Sequence, residues 1–157
     1  MIDQKRRKLL QGSLGVGTIG MAASAGLLTP RALLAAWPEA AFMANDQAAA
    51  LKDLLGSDAY ESSDAIKIDA PPIAENSAAV RVTVSTDLED VKSITIFAAG
   101  NQRPLIASFE LGENAVPFVT TNIKMAETAD VIAVVQTPQG LLGAARKVEV
   151  TAGGCGA

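Results

Sequence analysis

Histidine is absent from this 157-residue chain, and cysteine occurs once. The first absence removes the usual general base, the commonest metal ligand and any Ser–His or Cys–His pair. Zinc, haem and copper sites are disfavoured on the same ground, so neither a metal nor a cofactor is expected. A single cysteine cannot close an internal disulfide. Aromatics are few: Trp37, Phe42, Tyr60, Phe97, Phe109 and Phe118. A core must therefore be built mainly from Val, Ile, Leu and Ala. Cationic charge is scarce beyond the first 36 residues. Of 13 basic and 17 acidic residues, Lys5, Arg6, Arg7, Lys8, Arg31 and Asp3 lie in that stretch, leaving 8 basic against 16 acidic and a formal net of −8. Such a surface argues against nucleic acid and anionic membrane as partners, because both reward cationic patches.

The basic residues that are present have a pattern. Lys5-Arg6-Arg7-Lys8 precedes a mildly apolar, glycine-rich stretch from Leu9 to Leu28. Paired Arg6 and Arg7 before such a stretch fit a bacterial twin-arginine export signal. The stretch approaches the ~20 residues needed to span a bilayer, but its Gly, Ser and Thr content makes it a weak membrane anchor. Cleavage is expected between 25 and 36, after Ala23-Ser24-Ala25 or after Ala35-Ala36. Residues 1–36 are thus read as a signal peptide, the protein as periplasmic, and the remaining 121 residues as one domain.

The cysteine lies in Gly153-Gly154-Cys155-Gly156-Ala157. Gly153, Gly154 and Gly156 flank the thiol with bare backbone, which favours a flexible arm that is thin enough to pass through a narrow channel. An unperturbed thiol has a pKa of ~8.5, and no Lys, Arg or His stands near Cys155 in sequence to lower it. Activation must then come from a protein that receives the thiol. From Val150 to Cys155 an extended chain reaches at most ~16–18 Å. An odd cysteine in an exported protein points to a reactive thiol or to pairing between molecules. A thiol peroxidase would need an activated thiolate and usually a resolving cysteine.

Between signal and tail, two regions differ in pattern. Residues 37–65 read as an N-terminal helix and linker: Pro38 suits a first helical turn, Asn45-Asp46 can cap Gln47–Leu55, and Gly56 stops it. From Ile66 the pattern becomes short β runs separated by Pro, Gly and Asn. They cover Ile66–Asp69, Val80–Ser85, Val91–Ala98, Leu105–Glu110, Phe118–Met125, Val131–Gln136 and Leu141–Val150. About seven strands at this spacing predict an all-β, immunoglobulin-like antiparallel β-sandwich over 66–150, followed by the arm at 151–157. Val131-Ile132-Ala133-Val134-Val135 has no polar face. Either a loop or helix of the same chain covers its outer side or a partner protein does; with a companion subunit as the expected cover, the isolated chain is expected to self-associate through that face and through Cys155–Cys155 disulfides. Asn101-Gln102-Arg103-Pro104 reads as a turn.

These residues together form a recognisable set. Ile66-Lys67-Ile68-Asp69-Ala70-Pro71-Pro72-Ile73-Ala74-Glu75-Asn76 opens the sandwich, Val91-Lys92-Ser93-Ile94 and Val131-Ile132-Ala133-Val134 lie within it, and Val148-Glu149-Val150-Thr151-Ala152-Gly153-Gly154-Cys155-Gly156 finishes it. With the twin-arginine signal, the chain resembles the SoxY family, the sulfur-carrier subunits of the periplasmic thiosulfate-oxidising system. It departs from the family pattern at Ser77, Asn101–Pro104, Asn122–Met125 and Ala157.

The resemblance implies a carrier that catalyses nothing alone. Sulfur intermediates would be attached covalently to Cys155 and presented to a haem cytochrome pair, a hydrolase and a sulfane dehydrogenase in turn. It also implies a heterodimer with a SoxZ-like β-sandwich subunit. The alternative is a passive exported interaction module with an incidental cysteine.

Overall fold

The computed structural model describes residues 38–151. Two short helices come first, α1 (Glu39–Met43) and α2 (Gln47–Leu55). The ends of α2 follow from single residues. The Asp46 carboxylate accepts a hydrogen bond from the Ala49 amide at 3.0 Å, an N-cap, and Gly56 closes the helix at φ 79°, where a side chain would be strained. Nine strands follow: β1 (Glu61–Ser62), β2 (Ile66–Asp69), β3 (Ile73–Ala74), β4 (Val80–Thr86), β5 (Ser93–Ala98), β6 (Leu105–Glu110), β7 (Phe118–Ile123), β8 (Ala129–Thr137) and β9 (Gly140–Val150).

The strands form a two-sheet sandwich. The smaller sheet has the order β2-β4-β7, and the larger runs β1-β9-β8-β5-β6, with β3 also paired to β9. The chain passes between sheets from β4 to β5, from β6 to β7 and from β7 to β8, the Greek-key wiring of immunoglobulin-like sandwiches. The seven runs expected from sequence are all strands. The two additional ones, β1 and β3, are two residues long and lie parallel to β9, at Glu61↔Leu142 and Ile73↔Glu149. They occupy the edge of β9 that β8 leaves free, and so cover part of an otherwise open ladder.

Burial separates the strands into two kinds. In β4, Val80, Val82 and Val84 are buried while Arg81 is exposed, the alternation of a strand with one face on the core. β5 is buried at all six positions, and β8 from Val131 to Val135. Ile94, Ile96 and Ala98 of β5 and Val131, Ala133 and Val135 of β8 enter the sandwich core. Phe97, Ile132 and Val134 point the other way, into a second core with Ala41, Ala50 and Leu51.

The outer face of β8 is therefore covered by this chain's own helices. The expectation that a partner subunit covers Val131–Val135, and that the isolated chain self-associates through that face, is overturned: Ile132 is 7% and Val134 0% exposed beneath α1 and α2. The helical segment is a third layer of the fold. Leu51, 1% exposed, supplies on the order of 1.5–3 kcal/mol of apolar burial there. Where the outer face turns polar, its groups pair across strands: Thr95 with Ser108 at 2.9 Å and Ser93 with Gln136 at 3.3 Å. Among the described residues no buried side-chain polar atom lacks a partner.

Candidate functional site at the end of the last strand

Six residues singled out by sequence lie outside the described residues: Cys155, Gly153, Gly154 and Gly156 at one end, Arg6 and Arg7 at the other. The structure does define the point from which the cysteine-bearing segment leaves the sandwich. β9 is antiparallel to β8 from Ala129↔Val148 to Thr137↔Gly140, so its C-terminal end lies beside the start of β8. At that end it is also held on its other edge. The Glu149 amide donates to the Pro72 carbonyl at 2.9 Å, and Ala74 is in register with Val150.

Beyond the ladder, side chains take over. The Val150 amide donates to Thr128 Oγ1 at 2.9 Å, which ties β9 to the β7–β8 loop. The Thr151 amide and its Oγ1 each reach the Ala74 carbonyl at 3.4 Å, longer and weaker contacts. The held strand thus extends to Thr151. Cys155 lies four Cα–Cα steps beyond Thr151, a span of at most ~13–14 Å.

The loops around this exit are fixed to one another. Asn101 Nδ2 donates to the Lys124 carbonyl at 2.7 Å, and its Oδ1 accepts from the Ala126 amide at 2.8 Å. Asn101 so clamps the β5–β6 loop to the β7–β8 loop, whose Thr128 holds Val150. The Ala99 amide adds a bond to the Asp130 carbonyl at 3.0 Å. The reading of Asn101–Pro104 as a turn holds, but its first residue also joins two loops. Sequence reasoning gave no role to Asn101, Thr128 or Ala74. Only their partners, 22 to 77 positions away, reveal one.

The surface beside the exit carries an exposed isoleucine. Ile73 is 52% exposed although it lies in a strand, and it neighbours Glu149 across the ladder. A shallow groove of about 320 Å³ adjoins it, lined among others by Pro71, Ala74, Asn76, Ala79 and Arg81. A larger open depression of about 670 Å³ lies at the opposite end of the sandwich, between Leu88, Val91, Pro117 and Pro138, away from the exit. Among the described residues no group of three or more His, Cys, Asp and Glu side chains is placed to hold a metal ion, and no helix is long and apolar enough to cross a membrane.

Comparison with known proteins bears on this arrangement. Among solved structures, the sulfur carrier protein SoxY from Chlorobium limicola f thiosulfatophilum superposes with a TM-score of 0.55 at 41% sequence identity, covering 59% of this chain and 84% of that one. A superoxide reductase (neelaredoxin) from Ignicoccus hospitalis superposes with a TM-score of 0.52 over 59% of this chain and 95% of that one. At 18% identity this second likeness shows the fold alone. No curated protein matches the chain. The family model described as sulfur oxidation protein SoxY matches residues 51–155, from the buried Leu51 of α2 through every strand to the single cysteine. The chain belongs to the SoxY family of sulfur oxidation proteins.

Proposed function

We propose that this protein is a covalent carrier of sulfur intermediates in thiosulfate oxidation, with the thiol of Cys155 as the attachment point. The observation that carries the proposal is the reach of the family match, which ends on Cys155, the chain's one thiol. The structure supports it by holding β9 on both edges up to Thr151, so that the thiol-bearing segment starts from a fixed point. Gly153, Gly154 and Gly156 add no side chains to that segment and keep it slim for passage into a partner's active site.

The chemistry needs little from the carrier itself. In the loading step the Cys155 thiol loses its proton and its sulfur bonds to the outer sulfur of thiosulfate, giving an S–S–SO3 adduct and releasing two electrons. A haem cytochrome partner takes those electrons. Hydrolysis then places a water oxygen on the terminal sulfur, releases sulfate and leaves a persulfide on Cys155. A sulfane dehydrogenase oxidises the sulfur that remains. In this reading the protein performs no catalysis; it retains the substrate between enzymes.

The same reading makes the protein periplasmic, with residues 1–36 as a twin-arginine signal carrying Arg6 and Arg7. A SoxZ-like sandwich subunit is its proposed heterodimer partner. The helices occupy the outer face of β5 and β8, so that partner must use another surface.

The test is intact mass and peptide mapping after exposure to thiosulfate and the oxidising cytochrome. The adduct is expected on the peptide containing Cys155 and absent from Cys155→Ser, whose unfolding curve stays that of the parent. An adduct elsewhere, or full pathway activity of the Ser variant, would refute the carrier reading in favour of a passive interaction module.

A further inference from the structure

We propose that the surface around Ile73, beside the exit of the cysteine-bearing segment, is the common docking footprint for the enzymes that process the bound sulfur. The inference rests on the carrier reading above and adds where the enzymes hold the carrier.

Chain geometry limits the choice of surface. With Thr151 held at the Ala74 carbonyl, Cys155 lies at most ~13–14 Å from the sandwich. An enzyme that takes the thiol into an enclosed site must therefore press the rim of that site against this end of the molecule. Each enzyme of the sequence receives the same short segment, so each meets the same surface.

Of the large apolar side chains exposed among the described residues, Ile73 is the one paired to the end of β9. Phe118 and Val116 belong to the opposite end: Phe118 pairs with Ser85 late in β4, and Val116 adjoins Pro117 of the far depression. Ile73 and Glu149 are in-register neighbours on adjacent strands, and Thr151 lies two residues further along the same face. The emerging chain thus leaves beside an apolar knob flanked by Glu149 and Glu75, both exposed. The matching rim is apolar where it meets Ile73 and cationic where it meets the two carboxylates. Partly exposed apolar anchors surrounded by polar groups are the usual energetic centre of such contacts.

The experiment measures steady-state turnover of two purified enzymes, the thiosulfate-conjugating cytochrome and the sulfate-releasing hydrolase. The carriers are the parent protein, Ile73→Asp, Ile73→Thr and Phe118→Asp. Ile73→Thr keeps a β-branched residue in the strand and guards against loss of β3 pairing. Both Ile73 variants are expected to raise KM for both enzymes, the Asp form about tenfold, the size typical of losing one apolar interface anchor, with kcat retained at saturation. Phe118→Asp is expected to leave KM within about twofold of the parent, as for a surface change outside the contact. The rate of Cys155 alkylation by iodoacetamide should be the same in all four. Unchanged KM in the Ile73 variants, an effect with one enzyme alone, an equal effect of Phe118→Asp, or a parallel change in alkylation each overturns the proposal. The carrier reading is tested separately, because it fails when the adduct maps away from Cys155 or when Cys155→Ser keeps full pathway activity, whatever the Ile73 variants do.

Discussion

Of the described glycines, Gly143 is the one at which an added methyl group meets the nearest neighbours. It lies in β9, buried, with Ser62 of β1 beside it in register. A Cβ there would be driven into Cδ2 and Cε2 of the Tyr60 ring and would stand 3.0 Å from its Cγ. Tyr60 packs its partly buried ring on the second core, and the Ser63 amide donates to the Gly143 carbonyl at 2.9 Å, so the chain on either side of the contact is fixed. Moving the ring away from β9 would take it off the second core. Gly143→Ala is therefore expected to cost about 1–3 kcal/mol, the range for forcing extra volume into a packed site. Urea unfolding at an m-value of ~1–3 kcal/mol per molar would show this as a midpoint lowered by roughly 1 M. The decisive measurement is the same substitution in a Tyr60→Ala background. With the ring gone, the three nearest atoms that the alanine Cβ would meet are removed, and its advantage over glycine within a strand, ~0.5–1 kcal/mol, should offset most of the remaining cost. The two changes are thus expected to couple by at least ~1 kcal/mol. An equal cost of Gly143→Ala in both backgrounds would show that Tyr60 does not dictate the glycine.

The remaining predictions concern the helical layer and export. Leu51→Ala should lower stability by about 2–5 kcal/mol, as for a large-to-small change at a fully buried site, measured by urea unfolding. A loss below ~1 kcal/mol would mean that α2 is only loosely laid on β8. Replacing Arg6 and Arg7 together by lysine should retain the precursor in the cytoplasm on cell fractionation; normal periplasmic yield would rule out twin-arginine dependence.

What the sequence revealed depended on how local the cause was. β6 occupies Leu105–Glu110 and β2 Ile66–Asp69, as read from sequence, because turn residues bound both runs closely. α2 begins after Asp46 and ends before Gly56, since each end is set by one residue's own chemistry. The short strands β1 and β3 left no such mark. Glu61–Ser62 is exposed and polar, Ile73–Ala74 follows two prolines, and both pair with an edge that β9 offers 81 and 76 residues later. The cover over Val131–Val135 failed for a related reason. An apolar run with no polar face declares that both sides are buried but not by what, and the Ala- and Leu-rich α2 proved to be the answer. Cys155 stood out in the sequence through its flanking glycines and its solitude, but it lies outside the described residues. The anchor of its segment did not stand out, because Thr128 and Ala74 act through backbone partners remote in sequence.

The placement of the thiol after β9 has a physical rationale. β9 is the longest strand, and it pairs along nine residues with β8, the strand that both cores bury. A group tethered to a fixed point has an effective concentration that falls roughly as the −3/2 power of tether length. If the last two residues of β9 and Thr151 were to fray, leaving Val148 as the anchor, the link to Cys155 would grow from four Cα–Cα steps to seven. In the proposed carrier role, the concentration of the thiol at a partner's site would then fall by roughly twofold, and more ordering entropy would be lost on each encounter. The bonds from Glu149 to Pro72, from Val150 to Thr128 and from Thr151 to Ala74 prevent that lengthening one residue at a time. They hold the origin of the segment at Thr151. A carrier served by several enzymes needs that fixed length, because a longer tether would dilute the thiol and a shorter one would not reach an enclosed site.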